Sequence, residues 1–128
     1  MRALTFRKRE RLVSQRLIDE LFGGGNSRSL AAYPLRAVYL QKERQDHHAS
    51  LQLLISVPKK RFHHAVDRNH VKRQVREAWR RHKQLLIDVL PADSQLLVAL
   101  VWLSDSPLPT AAVEERIASL VKRISEKI

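Results

Sequence analysis

Residues 64–89 read HAVDRNHVKRQVREAWRRHKQLLIDV, and the periodicity of this stretch decides the fold. It holds no glycine or proline, and Pro91 follows just beyond its end. On a helical wheel of about 100° per residue with Val71 at zero, Val75, Ala78, His82, Leu85, Leu86 and Val89 fall within about 60°. That sector is an apolar face suited to lie on a sheet. Arg68, Asn69, Lys72, Arg73, Arg76, Arg80 and Lys83 occupy a separate arc, between about 60° and 200°. Trp79 stands at the border, where it either packs under the helix or touches a ligand. One helix from about His64 to Val89 is expected.

The flanking segments read as strands. Ser50 to Val57 alternates, with Leu51, Leu53, Ile55 and Val57 on one face, and Pro58 ends the run because it has no amide to donate. Gln95 to Leu103 is apolar at nearly every position, the pattern of a strand covered on both faces, and Trp102 within it reads as core. Tyr33 to Leu40 also alternates, with Tyr33, Leu35, Ala37 and Tyr39 opposed to Arg36, Val38 and Leu40. The polar run from Gln41 to His48 then reads as a solvated hairpin loop.

Two further helices complete the pattern. Ser14 is placed to cap a short helix whose face carries Leu17, Ile18, Leu21 and Phe22. Gly23-Gly24-Gly25-Asn26 stops it, since Gly and Asn accept positive φ after a helix. Thr110 reads as the cap of a last helix with the stripe Val113, Ile117, Leu120, Val121 and Ile124. The order α-β-β-α-β-α predicts an α+β fold: one small mixed sheet of three to four strands packed with helices, with a possible extra short strand. Residues 1–128 then form a single domain, with 1–11 as a basic amino-terminal arm in which Phe6 packs its end onto the rest.

Charge indicates the partner. The chain carries 24 Lys and Arg against 13 Asp and Glu, a net charge of +11. Residues 57–83 hold ten basic residues and two acidic ones, because Lys59, Lys60 and Arg61 extend the arc upstream of the helix. Like charges four residues apart, as in Arg68, Lys72, Arg76 and Arg80, each cost a few tenths of a kcal/mol in an isolated helix. A phosphate backbone offsets that repulsion through charge-assisted, often bidentate hydrogen bonds. The basic arc therefore predicts nucleic-acid binding.

Other classes are excluded on similar grounds. Without cysteine there is no disulfide framework, zinc ribbon or thiol nucleophile. No apolar run approaches the ~18 residues of a membrane span, and the amino terminus has no apolar signal region, so a cytoplasmic protein is expected. A helix lying on a membrane would need its apolar face, which the sheet takes. No helix-turn-helix spacing suggests a DNA reader. The six histidines include the adjacent pairs His47-His48 and His63-His64, whose side chains diverge, and no His-Glu-x-x-His is present. No pair of carboxylates stands out as acid and base, so the protein alone is not expected to cleave RNA.

The segment Ala65-Val66-Asp67-Arg68-Asn69-His70-Val71-Lys72-Arg73-Gln74-Val75-Arg76 resembles the signature helix of the bacterial ribonuclease P protein component, the RNR motif. Ser56-Val57-Pro58-Lys59-Lys60 is similar to the strand end before that helix, and Leu4-Thr5-Phe6 through Leu21-Phe22 to the family's arm and first helix. The resemblance spans nearly the whole chain and departs at two places: His70, where the family usually has Arg or Lys, and Asp67, an acid that RNA would repel but that the wheel turns aside. It implies a ribonuclease P protein-like fold containing a left-handed crossover. It also implies a division of labour: the RNA subunit hydrolyses precursor tRNA, while the protein binds that RNA and the single-stranded 5′ leader.

By position, Arg68, Asn69, Lys72, Arg73 and Arg76 would contact the RNA subunit, with Lys59, Lys60, Arg61 and Arg80 extending the same basic surface. Ile18, Phe22, Arg36 and Val38 would line the leader cleft. No cofactor is expected to bind the protein stably, Mg2+ being used by the RNA-containing holoenzyme. The implied partners are ribonuclease P RNA and precursor tRNA, with no membrane and no stable protein partner. A structural RNA binder of the ribosome-associated type would need the same basic helix, so charge alone does not separate the two functions.

Overall fold

The computed structural model describes residues 6–45 and 49–128. A 3-10 turn at Lys8–Glu10 is followed by α1 (Gln15–Gly23), β1 (Arg28–Ala32), β2 (Leu35–Glu43) and β3 (Leu51–Ser56). Then come α2 (Ala65–His82), α3 (Gln84–Val89), β4 (Ser94–Trp102) and α4 (Thr110–Ser125). The sheet order is β1-β2-β4-β3; β2 is antiparallel to both neighbours, while β3 and β4 run parallel. The parallel pair is joined through α2 and α3, so the sheet is mixed as expected.

The core lies on both sides of this sheet. Leu96, Val98, Leu100 and Trp102 of β4 pack with α2 and α4 in the larger cluster, together with Val71, Val75, Trp79, Ile117 and Ile124. Leu97 and Ala99 point the other way, into a smaller cluster with Leu12, Leu17, Leu21, Val38 and Leu40. β4 thus needs apolar side chains at every register, which explains its uninterrupted run. Both tryptophans are core residues, and Phe6 packs against the larger cluster.

Ser14 caps α1 by accepting the Leu17 amide at 3.4 Å, and Gly25 takes φ of +80° just after the helix ends. Thr110 does not cap α4. It is the first helical residue, and its Oγ1 accepts from Gln74 Nε2 at 3.1 Å, tying α4 to α2.

Three further expectations are corrected. Gln41 to His48 is not a hairpin loop: β2 continues to Glu43, where Gln41, Lys42 and Glu43 pair with Leu96, Gln95 and Ser94. β4 lies between β2 and β3, so the two are not neighbours; residues 46–48 of the proposed loop lie outside the described residues. Backbone pairing to β4 makes no demand on side-chain polarity, so the polar end of β2 concealed its strand character. Tyr33 is outside the strand. It sits in the turn from β1 to β2 with a cis bond to Pro34, and β1 is the extra short strand.

The third correction concerns the long helix, which breaks at Lys83. There the Lys83 carbonyl accepts the Leu86 amide at 3.0 Å and the Ile87 amide at 3.2 Å. Along the rod the buried sector rotates towards Trp79, Lys83 and Leu86, leaving Leu85 and Val89 exposed and His82 half-buried. Lys83 leaves the solvent arc and becomes one of the most buried side chains, 1% exposed. A rigid wheel assumes one contact face throughout, and here the face shifts.

Candidate nucleic-acid interface

α2 starts after an extended turn in which the Arg61 amide donates to the Pro58 carbonyl at 3.0 Å. Asp67 lies in the first turn, where the helix dipole favours an acid. Arg68 is half-buried and its Nη1 donates to the Phe62 carbonyl at 2.9 Å, fixing the helix start to the turn. Lys72 and Arg76 follow one and two turns later, with Asn69 and Arg73 more exposed beside them. Among the described residues no carboxylate lies within ion-pair distance of Arg68, Lys72, Arg73 or Arg76.

The other end of the rod is different. Arg80 Nη2 pairs with Glu77 at 2.9 Å, and Arg81 and His82 reach the Glu114 carboxylate at 3.5 and 3.3 Å. Lys83 pairs with Glu10 of the arm. The hydrogen bond from Arg80 holds the Glu77 carboxyl below its ordinary range, so this pair survives into mild acid. Arg61 has a partner in Asp105 at 3.4 Å, while Lys59 and Lys60 are exposed on the turn before α2. Of the nine surface residues named from sequence, Arg61 and Arg80 carry an acidic partner and the other seven have none among the described residues.

On the opposite side of the sheet, Phe22, Arg36 and Val38 line one cleft of about 220 Å3 together with Leu21, Ser27 and Arg28. Phe22 is 50% exposed and offers a ring face. Ile18 does not line this cleft; it lies one turn earlier on α1 and packs against the smaller core cluster. Arg28 opens β1, a strand with no apolar alternation to announce it; it pairs with Tyr39, so its end of the strand borders the cleft while alternation puts its side chain on the face away from Arg36 and Val38.

A second groove, of about 280 Å3, lies between the arm, the β3 edge and α2, and holds Arg11, Lys72 and Arg76 over Leu53, Leu54 and Ile55. Among the described residues no three or more His, Asp or Glu side chains are grouped to hold a metal ion. No described helix is long and apolar enough to cross a membrane.

The family described as Ribonuclease P matches residues 6–125. The chain is 40% identical over 124 residues to the ribonuclease P protein component of two Porphyromonas gingivalis strains, covering 94% of this chain and 87% of theirs. The chain belongs to the ribonuclease P protein family. It is therefore a subunit of a ribonucleoprotein endoribonuclease of tRNA processing, and its RNA partner is a ribonuclease P RNA. Solved structures agree on the fold. The RNase P protein from Thermotoga maritima superposes with a TM-score of 0.65 at 24% identity, covering 89% of this chain and 96% of that one. The Staphylococcus aureus RNase P protein gives 0.64 at 20% identity, covering 91% and 95%. Family membership decides against the ribosome-associated alternative, which the basic helix by itself left open.

Proposed function

We propose that the first three turns of α2 bind the phosphate backbone of ribonuclease P RNA, while the Phe22–Arg36 cleft grips the 5′ leader of precursor tRNA. The observation that carries this reading is the set Arg68, Lys72, Arg73 and Arg76, which has no carboxylate partner among the described residues although acids elsewhere pair with their neighbours. Guanidinium forks arrayed in this way suit phosphate oxygens, and Asn69 adds a neutral donor.

In the cleft, Phe22 provides a face on which a leader base stacks. Arg36 provides charge for the adjoining phosphates. Aliphatic Val38 makes the rest of the floor apolar without stacking, so in this reading leader recognition rests on one ring and one guanidinium group.

The protein orients its RNAs and the RNA subunit performs hydrolysis. Magnesium ions supply the charge neutralisation and water activation of that step. In this reading the groups that hold those ions belong to the RNA. The site of action is the cytoplasm, where precursor tRNA is processed.

The test is reconstitution. Purified protein is added to a bacterial ribonuclease P RNA at low magnesium, and 5′ cleavage of a precursor tRNA is followed. Strong stimulation is expected, with no cleavage by the protein alone. Absence of stimulation, or cleavage by protein freed of RNA, would contradict the reading.

A further inference from the structure

Four of the five residues from Arg7 to Arg11 are cationic, and the fifth, Glu10, turns inward. Its Oε1 accepts from Lys83 Nζ, and its Oε2 accepts the Arg7 amide at 2.7 Å. Lys83 sits at the break between α2 and α3 and is buried. Phe6 lies between two cations: its ring centroid is 5.8 Å from the Lys83 ammonium and 6.0 Å from the Arg11 guanidinium carbon. Just downstream the arm joins the sheet edge. The Leu12 amide donates to the Leu53 carbonyl at 2.9 Å, Gln52 Nε2 donates to the Arg9 carbonyl at 3.3 Å, and Arg11 forms an isolated parallel bridge with Leu53.

These contacts have one geometric result: Arg11 enters the groove that also holds Lys72 and Arg76. Burying the arm's only acid against Lys83 also leaves the exposed side of Arg7 to Arg11 wholly cationic. A buried ion pair is no better than packed apolar side chains for stability, but it is directional, so it fixes the register of the segment it holds.

We propose that Glu10 and Lys83 are positioning residues that latch the arm, setting Arg11 beside Lys72 and Arg76 as a three-cation seat for an RNA phosphate. The inference rests on the reading of α2 as an RNA surface, and adds to it a third cation from a different element.

A double-mutant cycle on RNA binding tests the latch. Arg11→Gln in the wild-type background is expected to weaken binding to ribonuclease P RNA, or of precursor tRNA to the holoenzyme, by about fivefold, and to reduce the salt slope by about one. In a Glu10→Gln background, where the arm is unlatched, the same change should cost less than about twofold. Glu10→Gln keeps an acceptor for the Arg7 amide, and urea unfolding followed through buried Trp79 and Trp102 checks that the fold persists. Limited trypsin cleavage in the arm should be faster in Glu10→Gln than in wild type.

A loss seen with the RNA subunit alone assigns the phosphate to that subunit, and a loss confined to precursor over mature tRNA assigns it to the leader; either supports the seat. Additive losses, or no loss from Arg11→Gln in the wild type, overturn the latch while leaving the function intact. Failure of wild-type protein to bind ribonuclease P RNA overturns both.

Discussion

The two ends of α2 carry similar residues in different company. At the start, Arg68, Lys72, Arg73 and Arg76 have no acidic partner among the described residues. At the far end, Arg80, Arg81, His82 and Lys83 each meet a carboxylate, from α2 itself, from α4 or from the arm. A stripe that looks uniform on a wheel is thus half without acidic partners among the described residues and half internal stitching. Acids are fewer than bases in this chain, so their placement determines which cations stay available.

The largest expected effect comes from the stitched end. Lys83→Ala leaves the Glu10 carboxylate facing a cavity and should destabilise the fold by about 3–5 kcal/mol in urea denaturation, as for other broken buried pairs. A loss under about 1 kcal/mol, the scale of an exposed pair, would mean that Lys83 belongs with the solvent arc after all.

Arg36→Ala comes next and probes the cleft that the basic helix does not reach. Holoenzyme affinity for precursor tRNA should fall about tenfold, the scale of one charge-assisted contact, with mature tRNA changed little. Equal losses for both ligands would assign Arg36 to the fold. The smallest effect is expected for Glu77→Gln, which removes the carboxylate partner of Arg80 and so moves one cation towards the available class. Affinity for the RNA subunit should rise by less than about twofold, the scale of an exposed ion pair. A fall would show that Glu77 orients Arg80 for RNA rather than withholding it.

How much of this was legible in the sequence follows from which interactions are local. α1, β3, β4 and α4 were readable because their apolar spacing reports the faces they bury, as Leu17 and Leu21 or Ile117 and Ile124 do. The first turns of α2 were equally plain, since the arc from Arg68 to Arg76 is a property of one helix. What was hidden depends on distant chain. Lys83 turns inward because Glu10, 73 residues away, is there to meet it. The end of β2 is a strand because Ser94 and Gln95 of β4 pair with it. Ile18 lies outside the Phe22–Arg36 cleft because α1 turns that side chain to the smaller core.

The division of the rod is tested most directly by removing equal charge from each end. Arg68→Gln with Arg76→Gln is compared with Arg80→Gln with Arg81→Gln in salt titrations of binding to ribonuclease P RNA. Each pair removes two charges from α2. The first pair should lower affinity sharply and reduce the slope of log K against log salt by about two, one for each lost phosphate contact. The second should leave slope and affinity close to wild type, because those cations already have protein partners. Equal losses from the two pairs would contradict the account, and would mean that RNA reads the whole basic stripe.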